Sequence, residues 1–449
     1  MNEVKARSHE APKPHREVGT QKCVLAYSGG LDTTTIVIWL KERGYEVHAV
    51  LVDVGQEEDL PGLCEKALKL GAKTAQICDA RPAMCRQALP WVIGLGATYE
   101  GTYHLGTALA RPFIAAAQVQ LAKKLGGATL VHGATGKGND QIRFEFAYRT
   151  LAPECPVLAP WKIWDLGGRS DMIAYLRAHG VEEDFALTKE FSMDENLWHL
   201  SVEGGDLEDP TAALDVNSVL KAVSGKFAGG SGLSVGPSLA TIHFVNGVPI
   251  GCNGERMPLA ELVATLNHEF RSAPWAWDLV IENRFTGIKS RGLYINPAAK
   301  LLHVAVDGLA RTCLNKPTYD KYVEIGREYG ALLYRGEFFS DQRQMLQAAA
   351  TSAMQHLTGD VTVQLNPVPY AATINAASPI FSKSGATFER SDFSHQDAAG
   401  FIRLAWMTSV GKGFSEDGDG GLVETADQSS SSLRTAESMS GERLVPAAV

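Results

Sequence analysis

After a polar start, short apolar blocks alternate with amphipathic ones along the first third of the chain. Residues 23–27 are an apolar run of strand length. Residues 32–43 then place Ile36, Trp39 and Leu40 at helical spacing before a stop at Gly44. "EVHAVLVDVG" (46–55) is rich in β-branched residues and predicts a second strand, with a helix over 58–70 ending at Gly71. "TAQICDA" (74–80) reads as a third strand and 83–93 as another helix. A long helix, interrupted or started near Pro112, covers 105–125, and "ATLVHGAT" (128–135) is a further strand. This rhythm predicts an α/β fold, a parallel sheet with helices on both faces. Ligands of such sheets bind where strand C-termini meet helix N-termini.

Past residue 180 the pattern changes. "LATIHFVNGVPIGCNG" (239–254) flanks an Asn-Gly turn with apolar residues, a hairpin signal. Helices are expected near 258–271 and 318–334, and "VTVQLNPVPYAATI" (361–374) reads as paired strands, so the second domain is α+β. The ends differ from both. Residues 1–21 are polar with two prolines and predict a disordered arm; from 415 the chain is acidic and Ser/Gly-rich, a solvated tail. The expected division is therefore 1–21, 22–180, 181–370, 371–414 and 415–449.

Composition removes several function classes. A net charge of −9 without a Lys/Arg-rich run argues against a nucleic-acid partner. Seven scattered cysteines with no CxxC and no Cys/His zinc spacing read as reduced thiols, which points to a cytoplasmic protein. No apolar run has the length of a membrane span, and the first twenty residues lack the apolar core of a secretory signal.

Two glycine-rich stretches carry the candidate chemistry. Ser28-Gly29-Gly30-Leu31-Asp32-Thr33 lies between the first strand and the first helix. Unpaired backbone N–H groups and the helix dipole suit phosphate there, and glycine lets the backbone approach it. Ser28, Thr33 and Thr34 offer hydroxyls, and Asp32 is placed to hold a Mg²⁺ that bridges to the phosphates. A glycine turn with Asp32 capping the helix would use the same residues. The stretch has no lysine, so it is not a Walker A loop; Gly136-Lys137 is followed by Gly138, and "GLGATY" at Gly94 fails the dinucleotide pattern. The second stretch, "HGATGKGNDQIRFE" (132–145), also runs from a strand through glycines into a helix. Asn139 and Arg143 share a helical face with Asp140 beside them, a set suited to a zwitterion and equally to a capped surface helix.

The motif SGG-x-D-[ST] after the first strand is similar to the pyrophosphatase loop of the N-type ATP pyrophosphatases. Other stretches narrow the resemblance. "YSGGLDTT", "TYEGTYHLGTALARP", "HGATGKGNDQIRFE", "LAPW", "FSMDENLWHLS" and "VIENRFTGIKSRGLYINP" occur in the order found in the argininosuccinate synthase family. The likeness covers roughly residues 22–405. It implies a nucleotide-binding domain over 22–180, a synthetase domain over 181–370 and an oligomerisation segment over 371–414. It also implies ATP and Mg²⁺ with citrulline and aspartate as substrates, a homotetramer, and a ligase acting through a citrulline-adenylate. By the same resemblance ATP would meet Ala26, Tyr27, Ser28, Gly29, Gly30, Leu31, Asp32, Thr33, Thr34, Val52 and Gly133. Aspartate would meet Thr135, Asn139 and Asp140. Citrulline would meet Tyr99, Asn139, Arg143, Ser192, Ser201, Glu282 and Tyr294. Asp32 and Asp140 would be the catalytic residues, with no protein metal site beyond Asp32.

Simpler roles exist for several of these. Tyr99 and Tyr294 suit a core, Ser192 could cap a helix starting at Met193, and Glu282 could pair with Arg284 or Arg291. Two departures from the family stand out. Thr33-Thr34-Thr35 replaces a usual Thr-Ser, and Lys189-Glu190-Phe191 precedes "SMDEN" where Pro-Trp is usual. The competing functions are adenylation of a different oxygen on the same fold, and a non-catalytic nucleotide or amino-acid sensor. A glutaminase-like Cys/His arrangement, a reactive cysteine pair and a basic face are missing from the sequence, which disfavours GMP, NAD or tRNA chemistry.

Overall fold

The computed structural model describes residues 21–136, 138–182, 191–223, 238–380 and 394–409. The expected acidic tail, Lys137, Lys189, Glu190 and all but the last residue of the expected N-terminal arm lie outside the described residues. The chain divides into two compact units at Phe381/Ser382.

The first third folds as its alternation predicts. Strands β1 (Gln21–Ala26), β2 (Tyr45–Asp53), β3 (Thr74–Asp79), β4 (Thr129–Val131) and β5 (Val157–Leu158) form a parallel sheet in the order β3-β2-β1-β4-β5. Helices α1 (Leu31–Glu42), α2 (Leu60–Lys69), α3 (Arg81–Gln87), α4 (Leu89–Gly94), α5 (Gly106–Lys124), α6 (Asp140–Leu151) and α7 (Arg169–Ala178) connect and cover it. Strand order reverses between β1 and β4, so the crevice of this doubly wound sheet opens at their carboxyl ends.

Two helix expectations change. The single helix over 83–93 is two, broken at Ala88 (φ −123°, ψ −60°), where Pro90 in the first turn of α4 brings no N–H to continue the ladder. Conversely, Pro112 neither starts nor ends α5, which runs through it for 19 residues. Pro112 is buried, and the helix is held by its packing rather than by that one hydrogen bond. Deep in α5, the Gln118 amide donates to the carbonyls of Val24 on β1 (3.0 Å) and Val131 on β4 (2.8 Å), and Tyr148 of α6 donates to its oxygen.

The second half is built from two antiparallel sheets. One has the order β11-β12-β7-β6, from β6 (Ser192–Asn196), β7 (His199–Glu203), β11 (Trp277–Asn283) and β12 (Lys289–Ile295). The other, β10-β9-β8-β13-β14, uses β8 (Leu239–Val245), β9 (Val248–Cys252), β10 (Glu255–Arg256), β13 (Gly359–Gln364) and β14 (Tyr370–Ala376). The Asn246-Gly247 turn joins β8 to β9, both residues at positive φ, as a tight hairpin requires. The expected boundary at 370/371 falls inside β14. Helices α8 (Val216–Val223), α9 (Leu259–Phe270), α10 (Pro297–Cys313), α11 (Lys316–Tyr334) and α12 (Asp341–Met354) complete this part. In the second unit, α13 (His395–Ser409) leaves Phe401, Ile402, Leu404, Trp406 and Met407 exposed.

Candidate active site

The chain leaves β1 through Tyr27 and Ser28 and enters α1 at Leu31. Gly29 sits at φ +73°, a conformation that a side chain strains. Gly30 occupies the N-cap position and no side chain caps it, so the first N–H groups of α1 keep their outward direction. The threonines divide the labour. Thr34 is fully buried and donates back to the Gly29 carbonyl (3.3 Å), Thr35 to Leu31 (2.8 Å), while the Thr33 hydroxyl lies 3.2 Å from that of exposed Ser28. Thr34 therefore shapes the loop rather than facing the crevice. Asp32 accepts from Trp161 Nε1 (3.1 Å), and burial pushes its carboxyl above the usual range. Val52, one residue before the end of β2, has its carbonyl already taken by the Gln56 amide (2.9 Å).

The second loop crosses beside the first. A Cβ on Gly133 would lie 3.2 Å from Ile36 and 3.3 Å from Thr33, so the two loops pack with little space between them. Asn139 and Asp140 open α6, one turn before Arg143.

These loops and the β11-β12-β7-β6 sheet enclose a cavity of about 300 Å³. Asp32, Gly133, Thr135, Asn139, Asp140, Arg143, Ser192, Ser201 and Glu282 all line it, so residues far apart in sequence are brought to one cavity. Register explains the sheet's share: Asp194 of β6, Ser201 of β7 and Tyr294 of β12 stand opposite one another in one row. Ser192 belongs to β6 and caps no helix. Tyr294 and Tyr99 do not line the cavity. The Tyr294 hydroxyl donates to Glu282 (2.8 Å), and that of Tyr99 to the Asn283 carbonyl (2.8 Å). Glu282 pairs with neither arginine considered above. Arg284 binds Glu203 (2.7 Å), and Arg291 donates to the carbonyls of Asp206, Leu207 and Ala212.

Sequence reasoning missed Arg111 and Asp194. Arg111, on α5, donates through Nε to Asp140 (2.9 Å) and through its terminal nitrogen to Asp194. Arg143 takes the other Asp140 oxygen (2.9 Å). Burial opposes the charge on Asp140, but the Arg111 and Arg143 guanidiniums outweigh it and hold the carboxyl below its usual range. Both residues lay in motifs already singled out, "TALARP" and "FSMDEN"; only their partnership across 83 residues was hidden. In all, five carboxylates and three guanidiniums face one small volume, a lining that suits ligands bearing both signs of charge.

A glycine loop at the switch point of a parallel sheet, facing charged side chains of a second domain, places the chain in the class of doubly wound α/β proteins with an appended α+β domain. Residues 22–182 match the family model described as arginosuccinate synthase N-terminal HUP domain, and 191–410 the arginosuccinate synthase C-terminal domain. The chain is 40% identical over 390 residues to the argininosuccinate synthase of Nitratidesulfovibrio vulgaris (strain DSM 19637 / Miyazaki F), covering 86% of this chain and 95% of that one. It is 39% identical to that of Serratia proteamaculans (87% and 96% covered) and to that of Moorella thermoacetica (86% and 94%). The chain belongs to the argininosuccinate synthase family.

Proposed function

We propose that the cavity is where citrulline is activated by ATP and then joined to aspartate, giving argininosuccinate, AMP and pyrophosphate, as in arginine biosynthesis. The ureido oxygen attacks the α-phosphorus and pyrophosphate leaves. The aspartate amine then attacks the activated carbon, loses a proton and expels AMP. Activation is needed because a ureido oxygen is a poor leaving group until it is a phosphate ester. The work of the protein is positioning and charge stabilisation.

In this reading the backbone from Ala26 to Leu31, with Ser28 and Thr33, cradles the phosphates, while Thr34 fixes the loop. Val52 and Gly133 border the nucleotide. Thr135, Asn139 and Asp140 hold aspartate. Arg143 receives the citrulline carboxylate and Glu282 its ammonium, Ser192, Ser201 and Asn139 complete the pocket, and Tyr294 and Tyr99 support it through Glu282 and the Asn283 carbonyl. Mg²⁺ fits through the nucleotide. Asp32 is one carboxylate beside hydroxyls, and among the described residues no three His, Cys, Asp or Glu side chains are placed to hold a metal ion together. Mg²⁺ bound chiefly by phosphate oxygens needs no more, and would supply neutralisation of their charge. Seven free thiols support a cytoplasmic location, and the exposed apolar residues of α13 support assembly into a homotetramer.

The observation that carries the reading is the convergence of Asp32, Asn139, Asp140, Arg143 and Glu282 on one cavity. Pyrophosphate and AMP release from ATP and Mg²⁺ tests it, with citrulline and aspartate each omitted in turn. Argininosuccinate should accumulate with AMP only when both are present. Release that ignores citrulline would point to another acceptor.

A further inference from the structure

One buried side chain touches four of the proposed citrulline residues, yet lines no part of the cavity. Tyr334, at the end of α11, is 1% exposed. Its hydroxyl donates to Glu282 Oε2 (2.6 Å) and accepts from Asn139 Nδ2 (2.8 Å). Its ring stacks on Tyr99 at 3.6 Å and 5°, the Arg143 guanidinium lies 5.0 Å over its face, and its carbonyl accepts from Arg143 Nε (3.0 Å).

The Glu282 carboxylate explains why this matters. It is buried, and among the described residues no cation lies within ion-pair distance of it. Instead Tyr294 donates to one oxygen and Tyr334 to the other. Burial, and then the Glu282 charge itself, push both phenols well above their usual range, so they remain donors. Two neutral donors fix the direction of a carboxylate without cancelling its charge, which stays available to an arriving ammonium.

The geometry points to Tyr334 as the positioning residue of the citrulline pocket, a side chain that acts through Glu282 and Asn139 without touching substrate. This rests on the assignment of Glu282 to the citrulline ammonium. Tyr334→Phe keeps the ring contacts and removes both hydrogen bonds of the hydroxyl. The KM for citrulline should rise about tenfold or more, in line with a lost hydrogen bond to a charged group, while those for ATP and aspartate stay within about twofold. In a Glu282→Gln background the same change should raise the citrulline KM by a clearly smaller factor, because the charged acceptor is gone and only the Asn139 contact and a neutral one remain to be lost. Tyr329→Phe, which removes a buried hydroxyl from the same helix (3.0 Å from Gln347), should leave the citrulline KM as it was. An unchanged citrulline KM in Tyr334→Phe, an equal rise for all three substrates, or the same factor in both backgrounds would overturn the proposal. Wild-type enzyme whose pyrophosphate release ignores citrulline would instead sink the functional reading beneath it.

Discussion

Between Ala26 and Thr34 the proposed binding surface is made of backbone; along α5 and α6 and across β6, β7, β12 and β11 it is made of side chains. The first carries a single carboxylate, and its shape comes from a left-handed glycine and an uncapped helix start. The second is crowded with charge that is paired off in advance, as Asp140 is by Arg111 and Arg143, or oriented by phenols, as Glu282 is. A backbone site is compact in sequence and tolerant of side-chain change, but not of φ. A side-chain site gathers from distant segments, and each member holds its neighbours.

That contrast can be broken most sharply at Asp140. Asp140→Ala would leave Arg111 and Arg143 facing each other without their shared carboxylate. It should cost about 2–3 kcal/mol in the kcat/KM for aspartate, below the range for breaking a fully buried pair because Asp140 is partly exposed. The ATP KM should move far less, and equal losses for both would make Asp140 a structural residue only. At the loop, Gly29→Val adds no charge and removes none. It forces a β-branched residue to φ +73° and puts a Cβ 2.3 Å from Leu63 Cδ2. About 1–3 kcal/mol of ATP kcat/KM should be lost, with citrulline binding by equilibrium dialysis unchanged. An unaltered ATP KM would deny that the loop works through its backbone.

Acid distinguishes the two regions by smaller steps. His104, just before α5, and His199, the first residue of β7, are buried, and burial lowers both to about 3. Their stabilising contribution is complete above the unfolded value near 6.5 and is lost as pH falls below it, by up to about 1.4 kcal/mol per pH unit for each. Behind the second loop, contacts with His132 and then Lys162 bring Glu145 down to about 2. Its contribution is complete above about 4.5 and is lost between there and 2. Denaturant midpoints measured from pH 8 to pH 3 should therefore begin to fall near 6.5 and steepen below 4.5. A flat profile down to 5 would mean the histidines are not buried neutral.

What could be read from the sequence follows the same division. The phosphate loop was legible because its parts are contiguous: strand, glycines, Asp32, helix. Asp140 and Arg143 were legible as neighbours on one helical face. The Arg111–Asp194 contact was not, because it depends on α5 and β6 meeting across the crevice. Tyr334 ends an ordinary amphipathic helix and looks like any core aromatic until β11 and α6 are packed against it. The break at Ala88 and the continuity through Pro112 went unread for one reason: proline states what the backbone lacks locally, and packing decides whether that matters.

Gln118 gives the crevice its gauge. One amide spans the point where the sheet reverses, tying β1 to β4 just before each releases its glycine loop. Widening the gap there would strand two carbonyls and an amide in a dry interior. The two glycine loops therefore leave strands that are held at one fixed spacing. Ser201 and Glu282, which face these loops across the cavity, stand on a separate antiparallel sheet that the amide does not reach.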